Sequence, residues 1–215
     1  MIRCQIALVV VGSCQNIDKI FFEVFFCIVE EWRRVMKLRS QLMDEADMSR
    51  ALKRMAHEIS EHNHGCQNVV FLGIKRRGVP LAIEMAKHIN EFENIEVPVG
   101  TIDITLYRDD LSEISSRPVI SESYIPFDLA KKHVVMVDDV LYTGRTARAA
   151  LDAISNIGRA ATIQFAVLID RGHRELPIRP DYVGKNVPTS KNEIVSVQIG
   201  EFDGQTCVNL YEINS

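Results

Sequence analysis

From residue 40 onward, segments with helical spacing of apolar residues alternate with short runs of β-branched residues. Met48, Leu52, Met55 and Ile59 recur every three or four positions, which predicts an amphipathic helix behind the acidic start at 44–47. The same two patterns predict helices over 79–92 and 145–157, strands over 68–74, 97–105, 133–137 and 161–169, and two strands within 193–213. Because strands and helices alternate, we expect an α/β fold with a mainly parallel, twisted sheet flanked by helices.

Residues 106–130 show neither pattern. They are polar, contain two prolines and have no clear period. Loops of this length inside a compact domain are more often functional than idle, so we expect this one to take part in binding or catalysis.

The overall composition is that of an ordinary globular protein. The 215 residues are 47% apolar and 25% charged, which suits one domain and argues against a disordered or fibrous chain. The net charge of −4 excludes a uniformly basic nucleic-acid binder but permits a local basic patch. No apolar run approaches the roughly 18 residues of a membrane span, so we expect no membrane association.

Residues 1–35 differ in composition from the rest. They hold three of the five cysteines, the only tryptophan and four of the nine phenylalanines. An export signal, an amphipathic helix docked on the body and an extension outside the functional protein are three interpretations of this segment. We expect the third, with Met36 as the working start and residues 36–215 as the functional domain. Cys66 and Cys207 then remain, without paired spacing, which suits a reducing cytoplasm.

The most informative stretch is 134–146. An apolar strand runs into Asp138 and Asp139, then into a short loop with hydroxyls and one glycine, and then into a helix. In a parallel sheet, ligands bind beyond the carboxyl ends of the strands. The segment 143–146 places N–H groups and two hydroxyls at a helix N-terminus, which favours a phosphate monoester. Two adjacent carboxylates suit the vicinal hydroxyls of a sugar, so the implied ligand is a ribose 5-phosphate.

This stretch resembles the phosphoribosyl diphosphate (PRPP) motif of type I phosphoribosyltransferases. Over 37–213 the chain resembles the family of bacterial pyrimidine operon attenuation regulators, which are also uracil phosphoribosyltransferases. The segments 73–78, 103–110, 170–179 and 184–189 carry the resemblance further and occur in the family's order. It implies the type I phosphoribosyltransferase fold with a small hood, and an enzyme that converts uracil and PRPP to UMP and diphosphate.

The resemblance also implies the ligand sites. Arg108, in the long loop, would close over the substrate and act as a catalytic residue together with Asp138 and Asp139. Mg²⁺ would be held mainly through PRPP, with no direct protein ligands. Arg171 and Val187 would hold the base. The residues implied in PRPP and nucleotide binding are Lys75, Arg76, Arg77, Asp138, Asp139, Val140, Leu141, Tyr142, Thr143, Gly144, Arg145 and Thr146.

The family's second function is regulatory: its members sense UMP or UTP and bind pyrimidine operon leader mRNA, which controls transcription attenuation. The resemblance implies a homodimer or larger homo-oligomer whose basic RNA-binding face includes Arg54, His57, Arg174, Arg179 and Lys185. The same charges also fit a solvated helix face that attracts PRPP. A purine phosphoribosyltransferase without an RNA-binding role shares the PRPP motif and is the alternative function.

Overall fold

A computed structural model of the chain describes residues 36–105 and 123–213. The expected extension over 1–35 and the expected catalytic Arg108 lie outside these described residues. In chain order the elements are β1 (Met36–Met43), α1 (Glu45–His62), β2 (Val69–Ile74), α2 (Gly78–Glu93), β3 (Val99–Ile102), β4 (His133–Leu141), α3 (Arg145–Ile157), β5 (Thr162–Asp170), β6 (Tyr182–Asn186), β7 (Glu193–Gln198), α4 (Gly200–Asp203) and β8 (Cys207–Ile213).

Five parallel strands in the order β3-β2-β4-β5-β6 form the main sheet. Side chains alternate across the central strand β4: Val135 and Val137 pack with α1 and α2, whereas Val134 and Met136 pack with α3. All six residues of β2 are buried, as expected of a strand covered on both faces. The predicted parallel sheet with helices on both faces is confirmed.

The start of α1 follows from its sequence. The Asp44 side chain accepts a hydrogen bond from the Asp47 N–H at 2.7 Å, and the Asp47 carboxylate accepts one from the Asp44 N–H at 3.3 Å. This reciprocal capping satisfies two N–H groups that the helix leaves without intrahelical partners. The apolar residues at helical spacing then lie buried along one face, as the periodicity predicts.

A second, antiparallel sheet in the order β1-β8-β7 stands apart from the main one. The two strands predicted within 193–213 belong to this sheet and not to the parallel one. No strand is predicted at β1, because the polar run 39–41 breaks the alternation that starts with Met36 and Leu38. Most residues of this strand are exposed in the structure. Met36 at its start pairs with Ile213 at the end of β8.

The sequence-based boundaries need two changes in the main sheet. Residues 182–186, for which the sequence predicts no strand, form the edge strand β6, paired to β5 from Ala166 and Tyr182 onward. Their Gly-Lys-Asn end lacks the apolar pattern of a strand. The strand predicted over 133–137 continues to Leu141, so Asp138 and Asp139 lie within β4. In the part of the chain that the structure describes, no helix is long and apolar enough to span a membrane.

Candidate active site

The carboxyl ends of β2, β3 and β4 open on one cavity of about 510 Å³. Its lining residues are Ile74, Lys75, Arg76, Arg77, Asp103, Ile104, Thr105, Asp138, Asp139, Val140 and Thr146. A second cavity of about 350 Å³ is lined by residues 140–146 and shares Val140 and Thr146 with the first. The structure therefore brings together the two predicted segments, 75–77 and 138–146, that the sequence separates by about sixty residues.

The loop 142–144, between β4 and α3, which we call the phosphate loop, is shaped to present N–H groups. Gly144 has φ +95°, a conformation that favours glycine, and it immediately precedes the thirteen-residue helix α3. The Thr143 carbonyl accepts hydrogen bonds from the N–H groups of Glu175 and Leu176 at 3.0 and 3.1 Å. Its hydroxyl accepts one from the Arg145 N–H at 3.4 Å. The loop is thus held against residues 175–176 with the helix N-terminus at its end, an arrangement suited to an anion.

Asp138 and Asp139 are oriented by the backbone beside them. Asp138 is buried at 7% exposure and its Oδ1 accepts the Asp139 N–H at 2.9 Å. Asp139 is half-buried, and its Oδ1 accepts the Val140 N–H at 2.8 Å. Both carboxylates are therefore fixed at the cavity wall and can accept hydrogen bonds from a ligand's hydroxyls.

The loop 75–77, which we call the diphosphate loop, carries three consecutive cations. Lys75 Nζ lies 3.7 Å from Asp103 Oδ2, and the Lys75 N–H donates to the Ile102 carbonyl at 3.0 Å. The peptide bond between Lys75 and Arg76 is cis. All three side chains line the larger cavity, where positive charge favours a polyanion.

Arg76 and Arg77 also contact the short helix α4. The Arg76 guanidinium carbon lies 5.3 Å from the centre of the Phe202 ring. Arg77 forms an ion pair with Asp203, with 3.0 Å between Nη2 and Oδ1. These contacts join residues that are 126 positions apart in the chain.

Of the two predicted base-binding residues, Arg171 contacts Tyr142 in the lining of the smaller cavity, whereas Val187 belongs to the core. Arg171 is buried at 7% exposure; it donates from Nη2 to the Glu193 carbonyl at 2.6 Å, and its guanidinium lies 4.2 Å from the centre of the Tyr142 ring. Burial lowers the pKa of Arg171, while the neighbouring Tyr142 raises it. Val187 is buried in the core, and its N–H donates to the Asp170 carbonyl at 2.8 Å. Arg171 thus contacts Tyr142 of the phosphate loop, and backbone carbonyl groups accept its hydrogen bonds.

Three of the predicted RNA-binding residues lie around α1. Arg54 donates from Nη2 to the carbonyls of Val183 and Gly184 in β6, at 2.9 and 2.7 Å. Lys185 donates to the Leu42 carbonyl at 2.9 Å, and the His57 ring stacks on a phenylalanine of α2. Arg54 and Lys185 therefore lie where β6 meets α1 and the end of β1, whereas His57 lies against α2.

Arg174 and Arg179, the other two predicted RNA-binding residues, lie in the segment 171–181 between β5 and β6. Arg174 donates to the carbonyls of Tyr142 and Ile178, both at 2.9 Å, and pairs with Asp170. Its side chain is only 21% exposed. Arg179 is exposed. The structure thus places Arg174 as a link between this segment and the phosphate loop, and Arg179 at the surface.

Carboxylate side chains line the larger cavity. Within 36–105 and 123–213, no group of three or more His, Cys, Asp or Glu side chains is arranged to hold a metal ion. Asp103, Asp138 and Asp139 nevertheless line the same cavity, and carboxylate oxygens are ligands that Mg²⁺ accepts. A diphosphate bound there would supply the remaining oxygen ligands.

Four residues at this site have no role in the sequence-based prediction. Asp103 belongs to a segment that carries the family resemblance, and Glu175, 2.8 Å from Arg145, belongs to another. Phe202 and Asp203 lie in no such segment. Local pattern could have pointed to Asp103 through its position after a strand, but nothing local relates α4 to the diphosphate loop.

Comparison with known sequences places the chain among phosphoribosyltransferases. A family described as "Phosphoribosyl transferase domain" matches residues 39–201. Proteins named bifunctional protein PyrR match over most of their length. That of Thermus aquaticus is 59% identical over 82% of this chain and 98% of its own length. Those of Clostridioides difficile and Deinococcus radiodurans are 58% and 55% identical, over 81% of this chain and 98% and 95% of their own.

Comparison with solved structures agrees on the fold. A hypoxanthine phosphoribosyltransferase from Staphylococcus aureus superposes with a TM-score of 0.61 at 17% identity, over 82% of this chain and 93% of that one. The hypoxanthine phosphoribosyltransferase of Trypanosoma cruzi in complex with its product IMP gives 0.62 at 17% identity, over 81% of this chain and 91% of that one. At such identities these structures bear on the fold alone, and they confirm the type I phosphoribosyltransferase fold.

Proposed function

Because the chain belongs to the phosphoribosyltransferase family, and within it to the bifunctional PyrR proteins, we propose that it has the two functions the sequence resemblance implies. One is uracil phosphoribosyl transfer, which converts uracil and PRPP to UMP and diphosphate. The other is UMP- or UTP-dependent binding of pyrimidine operon leader mRNA to regulate transcription attenuation. The observation that carries the first is the convergence of the diphosphate loop, the Asp138–Asp139 pair and the phosphate loop on adjoining cavities.

The reaction displaces diphosphate from ribose C1 by uracil N1. Thr143, Gly144 and Thr146 bind the 5-phosphate at the start of α3, and Asp138 and Asp139 accept hydrogen bonds from the ribose hydroxyls. Cleavage of the C1–O bond leaves positive charge on the sugar and negative charge on the diphosphate. A magnesium ion held with PRPP beside Asp138 and Asp139 would supply positive charge to the leaving diphosphate.

The chain's own cations stabilise the departing group. Lys75, Arg76 and Arg77 line the cavity and stabilise the negative charge that develops on the diphosphate. Arg108, outside the described residues, is proposed to close over the substrate and exclude water from the sugar cation. Arg171 and Val187 are proposed to hold uracil, the first as a donor and the second as an apolar face.

RNA binding is proposed for the basic group Arg54, His57 and Lys185, together with Arg174 and Arg179. The net charge of the chain is −4, so binding has to rely on a local concentration of positive charge and on RNA shape. Arg54 contacts β6 directly, and the same strand leads to Val187 at the base site. This contact supports a link between nucleotide and RNA binding.

The test of the enzymatic function is UMP formation from labelled uracil, PRPP and Mg²⁺ by the pure protein. Asp139→Asn is expected to raise the KM for PRPP first, because one acceptor for the ribose hydroxyls is lost. Asp152→Asn, an exposed residue paired with Arg148 on α3, is the matched control and should keep wild-type kinetics. Competition among uracil, hypoxanthine and guanine tests the purine alternative: preference for a purine base would overturn the proposal.

The test of the regulatory function is a gel shift on pyrimidine operon leader RNA with and without UMP. Arg54→Gln removes a positive charge that is paired with Glu58 four residues along its helix. Arg148→Gln is the matched control, since Arg148 is also exposed and paired with an acidic residue four positions along. We expect weaker RNA binding only for Arg54→Gln. No shift with the wild-type protein would refute the regulatory function.

We also propose a cytoplasmic location and a homodimer or larger homo-oligomer. The free thiols of Cys66 and Cys207 are buried, which fits a reducing compartment. Sedimentation velocity of the pure protein gives the oligomeric state. A monomer at micromolar concentration would contradict the proposal of an RNA-binding dimer face.

A further inference from the structure

The diphosphate loop is supported from outside the main sheet by α4, the short helix that connects β7 to β8. Asp203 Oδ1 accepts from Arg77 Nη2 at 3.0 Å, and Asp203 Oδ2 accepts from Arg77 Nε at 3.4 Å. The carboxylate therefore uses the edge of the guanidinium formed by Nε and Nη2. A guanidinium has a second edge, formed by Nη1 and Nη2, that can bind an anion at the same time.

Asp203 is itself held in place by backbone hydrogen bonds. Its Oδ2 accepts the Ile199 N–H at 3.0 Å, and its own N–H donates to the Ile199 carbonyl at 2.8 Å. Burial alone raises the pKa of Asp203, but the Ile199 N–H and the Arg77 and Arg76 charges outweigh it and hold the pKa below its usual value. The carboxylate is therefore charged at neutral pH and fixed to the end of β7.

Phe202 supports the other arginine of the loop. Its ring is 42% exposed, high for a phenylalanine, and the Arg76 guanidinium lies over it at 5.3 Å from the ring centre. Cation–π contacts of this kind are worth about 0.5–1 kcal/mol at exposed sites. Two consecutive residues of α4 thus contact two consecutive cations of the diphosphate loop.

We propose that Asp203 and Phe202 are positioning residues for PRPP, holding Arg77 and Arg76 at the cavity before the substrate arrives. This inference rests on the proposed transferase function. Three adjacent cations repel one another and, in a solvated loop, each side chain loses rotamer freedom when a ligand binds. A carboxylate and a ring that pre-orient two of them reduce that loss. The opposing possibility is that Asp203 competes with the diphosphate for Arg77.

The first experiment compares Asp203→Asn with wild type in the full chain. We expect the KM for PRPP and the inhibition constant of Mg²⁺–diphosphate each to rise about 2- to 5-fold, because loss of a partly exposed ion pair costs up to about 1 kcal/mol. The Kd of UMP, which has no diphosphate, should stay within twofold. Asp203→Glu should recover part of the loss, and Asp152→Asn should change neither constant.

The second experiment tests whether Asp203 acts through Arg77. In an Arg77→Ala background, Asp203→Asn should cause no further rise in the KM for PRPP. Phe202→Leu keeps an apolar side chain without a ring, and we expect it to raise the same KM about twofold.

Any other outcome contradicts the inference. Unchanged or tighter diphosphate binding by Asp203→Asn would mean that Asp203 is neutral or a competitor. A parallel loss of UMP binding would mean a general structural defect, and additive effects with Arg77→Ala would mean that Asp203 acts elsewhere. Calorimetric binding of Mg²⁺–diphosphate needs no turnover. It therefore tests this inference even if the protein makes no UMP, a result that would instead refute the proposed function.

Discussion

Single side chains in the candidate site are oriented mainly by backbone groups. The Asp139 N–H holds the Asp138 carboxylate, and the carbonyl of Glu193 holds the Arg171 guanidinium. Backbone partners move little, so these side chains are in position before a ligand binds. Arg174 follows the same principle, since its guanidinium donates to carbonyls of the phosphate loop and of its own segment.

Arg174 and Arg179 are therefore expected to behave differently when mutated. Arg174→Gln removes the donors that join residues 171–181 to Tyr142, so it should raise the KM for uracil and PRPP several-fold in addition to any effect on RNA. Arg179→Gln changes an exposed side chain and should leave both KM values within twofold. Steady-state kinetics and a gel shift on the two variants check this. Wild-type kinetics for Arg174→Gln would contradict the linking role.

The Cys66 thiol gives a prediction about stability at high pH. Burial, together with the Glu93 carboxylate, raises the pKa of the Cys66 thiol to about 12. Between about pH 9 and 12 the unfolded chain therefore loses a proton that the folded protein keeps. This lowers the free energy of unfolding by up to about 1.4 kcal/mol per pH unit. The contribution is intact below pH 9 and is lost as the pH rises through that window.

Urea unfolding of wild type and Cys66→Ala at pH 8.0 and 10.0, in reducing buffer, measures this effect. We expect stability to fall more steeply with pH in the wild type, by about 1 kcal/mol over the interval. Tyr182, whose pKa burial raises to about 12, remains in both proteins and gives the same background slope above pH 10. Equal slopes for the two proteins would show that the thiol titrates alike in the folded and unfolded states.

At the scale of secondary-structure elements, the start of α2 packs tightly against β4. A Cβ added at Gly78 would lie 2.2 Å from the Val137 carbonyl oxygen, immediately before Asp138. Glycine at this position lets the diphosphate loop and the ribose-binding end of β4 share one cavity. The Val137 oxygen is a backbone atom and the position of a Cβ is fixed by the backbone, so neither can move aside by changing rotamer.

Gly78→Ala should therefore destabilise the fold by about 1–3 kcal/mol and raise the KM for PRPP, because α2 must shift away from β4. Gly158→Ala is the matched control: its φ of 177° is extended, and its added Cβ would make ordinary contacts of 3.7 and 3.9 Å with Leu129. Thermal unfolding and PRPP kinetics of both variants check the difference. Equal stabilities of the two variants would show that α2 shifts away from β4 without a loss of folding free energy.

Regular elements with a clear period could be predicted from the sequence. The helix predicted over 145–157 matches α3 at both ends, because Gly144 precedes it and Gly158 follows it. The strands β1 and β6 could not be predicted, since both are short of buried alternating residues and owe their conformation to pairing with β8 and β5. β8, the partner of β1, lies at the other end of the described chain, and a turn-rich segment separates β6 from its partner β5.

The same distinction holds for the site. The phosphate loop and Asp138–Asp139 form one contiguous segment, so their chemistry could be inferred from local order alone. Phe202 and Asp203 could not be assigned, because their link to the diphosphate loop depends on how the antiparallel sheet packs beside the parallel one. Contacts of that kind leave no local pattern.

For the protein as a whole, the matched phosphoribosyltransferase family covers residues 39–201. We propose that residues 36–215 form the phosphoribosyltransferase domain and that residues 1–35 are an extension that the reaction does not need. A chain starting at Met36 should then keep kcat/KM for PRPP within twofold of the full chain. The intact mass of the natural protein shows which form occurs. A large loss of activity on truncation would instead favour a segment docked on the body.

The pairing of Met36 with Ile213 has a practical consequence for engineering. Directly paired residues of antiparallel strands lie about 5 Å apart, a gap that a linker of a few residues can close. A circularly permuted gene could therefore fuse β8 to β1 without stretching either strand. Fusion partners attached before Met36 and after Ile213 would lie next to each other. Both ends of the domain can therefore be tethered to one surface.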